Sequence, residues 1–368
     1  MIEYFYPNEA ATPLLWEPVL FAYTLLVSGA DLLILASLGY LTKKLEKTIP
    51  LLLILGISFF SVVLLGPLAD LRSPHKAPLL FSIPHISPTY TTPGISLIAF
   101  QSILWIIALI LSIVFMLLYF SYPMYLKSKE VERFKGLYLA FSLGVDSREK
   151  YDKLSLITKG IAIILLLPAT LWGLYPSTLL ISQTWSFVWR NWVMLPVIYF
   201  ADTFVVATAI AILVYFIWRR RRMEAEVIQP LLKVHAAGSL SVSALTALQL
   251  SIWWFWFDDS IIIQSLTTIT SWMFIVIALL ITSFVLSLIA LRFLVISILV
   301  SLVAFAGTIA NKWNILMNSQ LISKTGMGVF ELHLPADWLF KTASPIALAI
   351  FLLVIISSLF PLEVKEVG

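Results

Sequence analysis

Long apolar runs alternate with short polar breaks along almost the whole chain. Runs able to cross roughly 30 Å of hydrocarbon fall at about 15–41, 50–70, 95–124, 155–178, 192–218, 231–257, 267–290, 293–315 and 338–361. Within 267–315 the only strong punctuation is Arg292. As one helix that stretch would rise about 70 Å, more than twice the hydrocarbon thickness, so two helices joined by a tight turn are expected. The pattern therefore predicts an all-α polytopic membrane protein of about nine transmembrane helices. The first four runs and the next four each begin and end on the same side. This predicts two four-helix bundles, 1–178 and 179–316, with an outer loop and an extra ninth helix in 317–368.

Charge gives the orientation. Placing the N-terminus outside collects Lys43, Lys44, Lys47, the basic residues from Lys127 to Lys159, Arg219 to Arg222, Lys233, Arg292 and Lys365 on the inner side. The outer side keeps Arg72, Lys76, Arg190, Lys312, Lys324 and Lys341. Cytoplasmic loops carry the Lys and Arg excess, so the expected topology is N-out, C-in, in the cell membrane. The opening MIEYFYPNEAATPLLWEP has no basic region or small-residue cleavage motif, and the first run is expected to be a true span. The inner segment 128–153 has apolar residues at helical spacing and is expected to lie along the interface.

Composition narrows the chemistry. The chain is 60% hydrophobic and 12% charged, against roughly half and a quarter for soluble domains. With no cysteine, it offers no thiolate to an iron–sulfur cluster or a Cys-type zinc. Of the four histidines, His75, His85 and His333 fall in outer loops and His235 stands alone near the inner end of the sixth run. Bis-histidine haem needs facing histidines within the bilayer, so no haem or metal is expected in this chain. Walker, dinucleotide and HExxH patterns are absent, and nothing points to nucleic acid.

The most conspicuous break is Asp70 to Gly94, DLRSPHKAPLLFSIPHISPTYTTPG, with five prolines and two of the histidines. On the same outer side the pattern places Glu17, Asp70, Arg72, His85, Tyr175, Arg190, Asn191 and Lys312. Helix ends converging there with apolar walls suit a ligand with a polar head and a greasy tail, such as a quinone. The same residues would equally serve as solvated helix ends. Asp31 and Asp202 sit deep in the first and fifth runs. Carboxylates at that depth must pair or stay protonated, as a proton pathway, an ion site or helix–helix hydrogen bonds. An ion site would make the chain a stand-alone secondary transporter.

Three stretches carry a resemblance. The run 59–98, FFSVVLLGPLADLRSPHKAPLLFSIPHISPTYTTPGISLI, resembles the membrane subunit of polysulfide reductase and its NrfD-like relatives, with Asp70, Leu71, Arg72, Ser73 and Pro74 at an Asp-Leu-Gly-Arg-Pro-like motif and His85, Ser87 and Pro88 matching the later loop. The second, 174–209, looks like the family's tyrosine-bearing helix end and the loop after it, with Tyr175 on the quinone-contacting tyrosine and Trp189, Asn191 and Pro196 near the loop and helix-start positions. The third, 311–320, NKWNILMNSQ, has Lys312 for the family's arginine and keeps Gln320. The first run lacks the family's Asn and His, leaving Glu17 and Tyr23 as substitutes. Ser28-Gly29-Ala30-Asp31 stands for a glycine-rich stretch, and Asp202 for a small residue.

The resemblance implies a membrane-anchor subunit of a respiratory oxidoreductase of the polysulfide or sulfur reductase type. It implies a quinone, menaquinone-like or other, bound by Tyr175, Asp70, His85, Glu17, Tyr23, Arg72 and Lys312, with Asp31 and Asp202 on a proton pathway. Its implied partners are a ferredoxin-like iron–sulfur electron-transfer subunit docked on the outer face, through Arg190, Asn191 and Gln320, and a molybdopterin catalytic subunit beyond it.

Overall fold

A computed structural model describes residues 15–70, 75, 77–78, 96–182, 186, 188–191, 193–220, 222–256, 260–323 and 329–363. Among them nine helices are long and apolar enough to cross a membrane: Tyr23–Thr42, Glu46–Leu68, Leu97–Glu130, Arg148–Ser182, Met194–Trp218, Ala225–Phe255, Leu266–Ala290, Leu294–Leu321 and Trp338–Leu359. They are called the first to ninth spans below. The described residues contain no strand, and the only β contact among them is a bridge between Ile322 and Val329. The protein is an all-α, multi-pass membrane protein.

Apolar side chains fill the core and also cover much of the surface, and hydroxyls are found buried. Leu156, Leu167 and Val354 are more than half exposed, whereas Ser37, Ser58, Thr203 and Ser287 are fully buried. Apolar side chains face lipid at no cost, while hydroxyls turn inward and find partners within the protein. Most of these hydroxyls return to a carbonyl one turn back: Ser58 Oγ donates to Ile54 O at 2.7 Å and Ser287 Oγ to Ser283 O at 2.7 Å.

The chain divides into two units. One comprises Met1–Ser28, Val62–Ala77 and Gly173–Ala347. In it the fifth to eighth spans pack in a closed ring, each against the next and the eighth against the fifth, a four-helix bundle cored by Ile198, Val205, Val242, Val276, Leu280 and Ala304.

The other unit comprises Gly29–Ser61, Pro78–Trp172 and Leu348–Gly368. Its first two spans approach closely at glycines. A Cβ on Gly29 would stand 2.5 Å from Phe60 N and 2.9 Å from Gly56 O, so only hydrogen fits, the small-residue contact of membrane helices. Indole groups tie the rest: Trp105 Nε1 donates to Phe60 O at 2.8 Å and Trp172 Nε1 to Gln101 O at 2.9 Å. The segment 128–153 contains a short helix, Lys135–Phe141, with Leu137 and Leu139 exposed.

The eighth span departs from its expected bounds. Its apolar run ends near 315, but the helix continues to Leu321. Within NKWNILMNSQ, Asn318 Nδ2 donates to Asn314 Oδ1 at 3.0 Å and Ser319 Oγ to the backbone Leu316 O at 3.0 Å, while Asn314 Nδ2 reaches Ile269 O at 3.0 Å. The polar tail is thereby kept helical and buried.

Candidate functional site

The site is built on two π-helical turns, Ala22–Leu26 and Asn314–Asn318. A π turn inserts one residue into an α-helix and re-aims the side chains that follow; such turns recur at functional sites. The first turn packs against the fifth and eighth spans, and the second against the short helix Glu17–Phe21. Everything in this site belongs to the unit holding the four-helix bundle.

Aromatic and amide contacts clamp the two turns. The Trp16 backbone N–H donates to Gln320 Oε1 at 2.9 Å. Trp16 stacks on Trp189 with ring centres 5.5 Å apart, and Trp189 Nε1 donates to Ile315 O, inside the second π turn, at 2.7 Å. Asn314 Nδ2 fastens the same turn to Ile269 O at 3.0 Å. Tyr23 and Tyr175 meet edge to face at 6.4 Å. Glu17 is 5% exposed.

The strongest electrostatic feature lies just before the second π turn in the chain. Lys312 Nζ sits 2.6 Å from Asp202 Oδ2, with both side chains 0% exposed. The same ammonium lies 3.2 Å from the centre of the Tyr199 ring, a desolvated cation–π contact worth about 2 kcal/mol. The sequence gives these two residues separate roles, Lys312 at an outer helix end and Asp202 in the membrane. Folding brings them together.

The other expected site residues fall in three groups. Glu17, Tyr23, Tyr175, Asn191, Asp202, Lys312 and Gln320 share this unit. Asn191 acts within it, its Oδ1 accepting from Met194 N at 3.1 Å at the start of the fifth span. Asp31 is fully buried in the other unit, in the helix Ser28–Thr42. Asp70 ends the helix Leu65–Asp70 and Arg190 ends the turn Val188–Arg190, but their side chains lie outside the described structure, as do Arg72 and His85. Sequence reading passes over Trp16, Tyr199 and Asn314. The Asn314–Asn318 pair, four apart on one helix, was the available signal for a polar helix end that folds on itself.

No group of His, Cys, Asp or Glu among the described residues is arranged to hold a metal ion. The donor set is instead tyrosine hydroxyls and a buried carboxyl among indole and phenol rings. That set fits a flat carbonyl-bearing ring on an apolar tail, taken up by hydroxyl donors and aromatic walls.

No protein-family model matches the chain. Over 363 residues, 98% of its length, it is 42% identical to a curated protein of Archaeoglobus fulgidus named as a subunit of tetrathionate reductase, 96% of which is covered. The chain belongs to the family of this tetrathionate reductase subunit. At 98% coverage the match extends over residues of both units.

Proposed function

We propose that this chain is the quinone-binding membrane subunit of a reductase complex, exchanging electrons between the membrane quinone pool and a partner iron–sulfur subunit. The observation that carries this reading is the near full-length match to a tetrathionate reductase subunit. The resemblance to the polysulfide reductase membrane subunit supports the same role. Both names describe reduction of a sulfur–sulfur bond, and we assign the terminal substrate of this complex to that class, reduced on a molybdopterin partner.

A bound quinone supplies two-electron, two-proton chemistry. The residues of this chain would hold its head and handle its protons. Tyr175 and Tyr23 supply hydroxyl donors, their rings already set edge to face. Glu17, Asp70 and His85 are the groups able to take or give a proton. Lys312, neutralised by Asp202, acts on the site through its field. Arg72 steadies the carboxylates. With no thiolate in the chain, electrons must leave by way of the partner, which in this reading docks at the outer face against Arg190 and Asn191, while Gln320, 3% exposed and bonded to the Trp16 amide, is too buried to meet it. The N-terminus is outside and the C-terminus inside the cell membrane in this arrangement. A stand-alone transporter using Asp202 as an ion ligand is disfavoured, because that carboxylate is neutralised by Lys312.

Purification from membranes tests the assignment. Iron–sulfur and molybdenum subunits should co-purify, and the complex should oxidise a quinol at the expense of tetrathionate or polysulfide. Tyr175→Phe and Asp70→Asn should lower quinol turnover while leaving partner cluster content unchanged. Purification of the chain alone, or normal turnover in both variants, defeats the reading.

A further inference from the structure

At the end of the four-helix bundle remote from the second π turn, the fifth span closes, the sixth opens, and the seventh turns into the eighth. Basic residues gather there. The run Arg219 to Arg222 follows the fifth span, Lys233 stands in the sixth, and Arg292 occupies the turn between the seventh and eighth. Arg219 is paired with Glu224. Arg220, Arg222, Lys233 and Arg292 are exposed and, among the described residues, have no carboxylate within ion-pair distance. Elsewhere on the protein Lys150, Lys153 and Lys341 each meet a carboxylate one helical turn away.

Cations after the fifth span complement its helix dipole. Arg220 does so in an unfavourable conformation: its φ of 48° is that of the left-handed residue after a helix end, where glycine is preferred. Lys233 has no dipole to serve. It is the ninth residue of the helix Ala225–Trp256, about 12 Å along the axis, inside the apolar run 231–257 and yet exposed. An ammonium at that depth reaches back along its own stem to the headgroup layer. Gln229, one turn nearer the helix start on the same face, donates through Nε2 to Leu291 O at 3.0 Å. Lys233 therefore rises beside the turn that carries Arg292, whose guanidinium lies 5.8 Å from the centre of the Phe293 ring. Two unpaired cations on one flank repel, and an anion between them turns that repulsion into attraction. Beyond Lys233 the same helix face continues with Ala237 and Leu240, both exposed. Phe293 and Val295 are exposed on the turn. Charge at headgroup depth above an apolar strip is the outline of one phospholipid molecule.

We propose that this flank binds an anionic phospholipid, its phosphate held by Lys233 and Arg292 and one acyl chain lying over Ala237 and Leu240. Arginine offers the phosphate a planar fork and lysine a point charge. Arg220 and Arg222 draw anionic lipid into the surrounding headgroup layer. The site lies at the opposite end of the fifth span from Asn191. It needs no quinone and is independent of the preceding assignment.

Native mass spectrometry tests the site on the purified full-length chain, with the subunits that accompany it. The protein is titrated in detergent with phosphatidylglycerol or with phosphatidylcholine of the same acyl chains. A basic contact to an anionic lipid is worth about fivefold in affinity. The tightest phosphatidylglycerol site should therefore weaken about fivefold in Lys233→Gln and in Arg292→Gln, and about 25-fold in the double variant, with phosphatidylcholine binding unchanged. Lys233→Arg, which keeps the charge, and Lys153→Gln, which loses only a surface ion pair in the other unit, should bind phosphatidylglycerol as the wild type does. Thermal midpoints confirm folding, and Arg292→Gln decides if Lys233→Gln does not fold. Equal affinity of the wild type for the two lipids, wild-type phosphatidylglycerol affinity in both Gln variants, or displacement of the bound lipid by inorganic phosphate overturns the proposal.

Discussion

Lys312 Nζ stands 2.6 Å from the Asp202 carboxylate in a place where neither side chain has any exposed surface. Two ions out of water are tolerated there because each cancels the other and Tyr199 shields the ammonium, with its ring 3.2 Å away and its carbonyl oxygen 3.5 Å from Nζ. Breaking such a pair from one side costs about 3–5 kcal/mol, whereas replacing both partners is often neutral. Lys312→Met should therefore lower the thermal midpoint of the purified protein sharply. Combining it with Asp202→Leu should recover most of the loss, leaving a positive coupling in the double-mutant cycle. Additive losses would show that the two charges do not depend on each other.

Gly29 and Gly136 give a matched contrast. A methyl at Gly29 meets the Phe60 backbone at 2.5 Å, while one at Gly136 meets nothing within 4 Å. Overpacking against backbone costs about 1–3 kcal/mol, and alanine in a helix is favoured over glycine by roughly 0.5–1 kcal/mol. Gly29→Ala should lower the thermal midpoint and Gly136→Ala should hold or raise it. Equal midpoints would remove the close approach of the first two spans.

Gln320 holds the Trp16 amide at 2.9 Å. Gln320→Leu removes the acceptor and leaves a half-buried N–H unpaired, at about 1–3 kcal/mol. The expected result is faster hydrogen exchange in the peptide containing Trp16, by tenfold or more, with exchange in the Ala225–Phe255 helix unchanged. Unchanged exchange at Trp16 would mean that the clamp between the N-terminal segment and the eighth span is not held by this bond.

The helical architecture was legible because hydrocarbon thickness imposes a length that apolar runs must meet. The eighth span ran past its expected end, since 316–320 reads as a loop until Asn318 is seen to bond back to Asn314 and Ser319 to the Leu316 carbonyl. The pairing of Lys312 with Asp202 was not legible. Each looks like a separate outlier on its own helix, and nothing local says that the fifth and eighth spans adjoin. The π turns have no sequence signature of their own, because one inserted residue leaves the apolar pattern intact. His235 read as a lone histidine; its importance lies in Thr208 and Ser283 on two other spans, whose hydroxyls are indistinguishable in sequence from those that bond back to their own helix. Tyr175 and Tyr23 are singled out in the sequence by resemblance alone, and in the fold their rings meet edge to face.

The sidedness can be checked directly, because a chain with no native cysteine takes a single reporter thiol without background. Glu149, with its side chain 79% exposed, lies in the segment assigned to the inner face. Glu331, 87% exposed, lies between the eighth and ninth spans on the side assigned to the exterior. Each substitution loses only a surface ion pair, worth about 0–1 kcal/mol. Glu331→Cys should react with a membrane-impermeant maleimide on intact cells, and Glu149→Cys only in inverted vesicles. Reversed labelling would put the Tyr23–Tyr175 end of the bundle on the inner face. The quinone would then have to meet its electron-transfer partner inside the cell, and the basic loops would face out, against the charge distribution that governs membrane insertion.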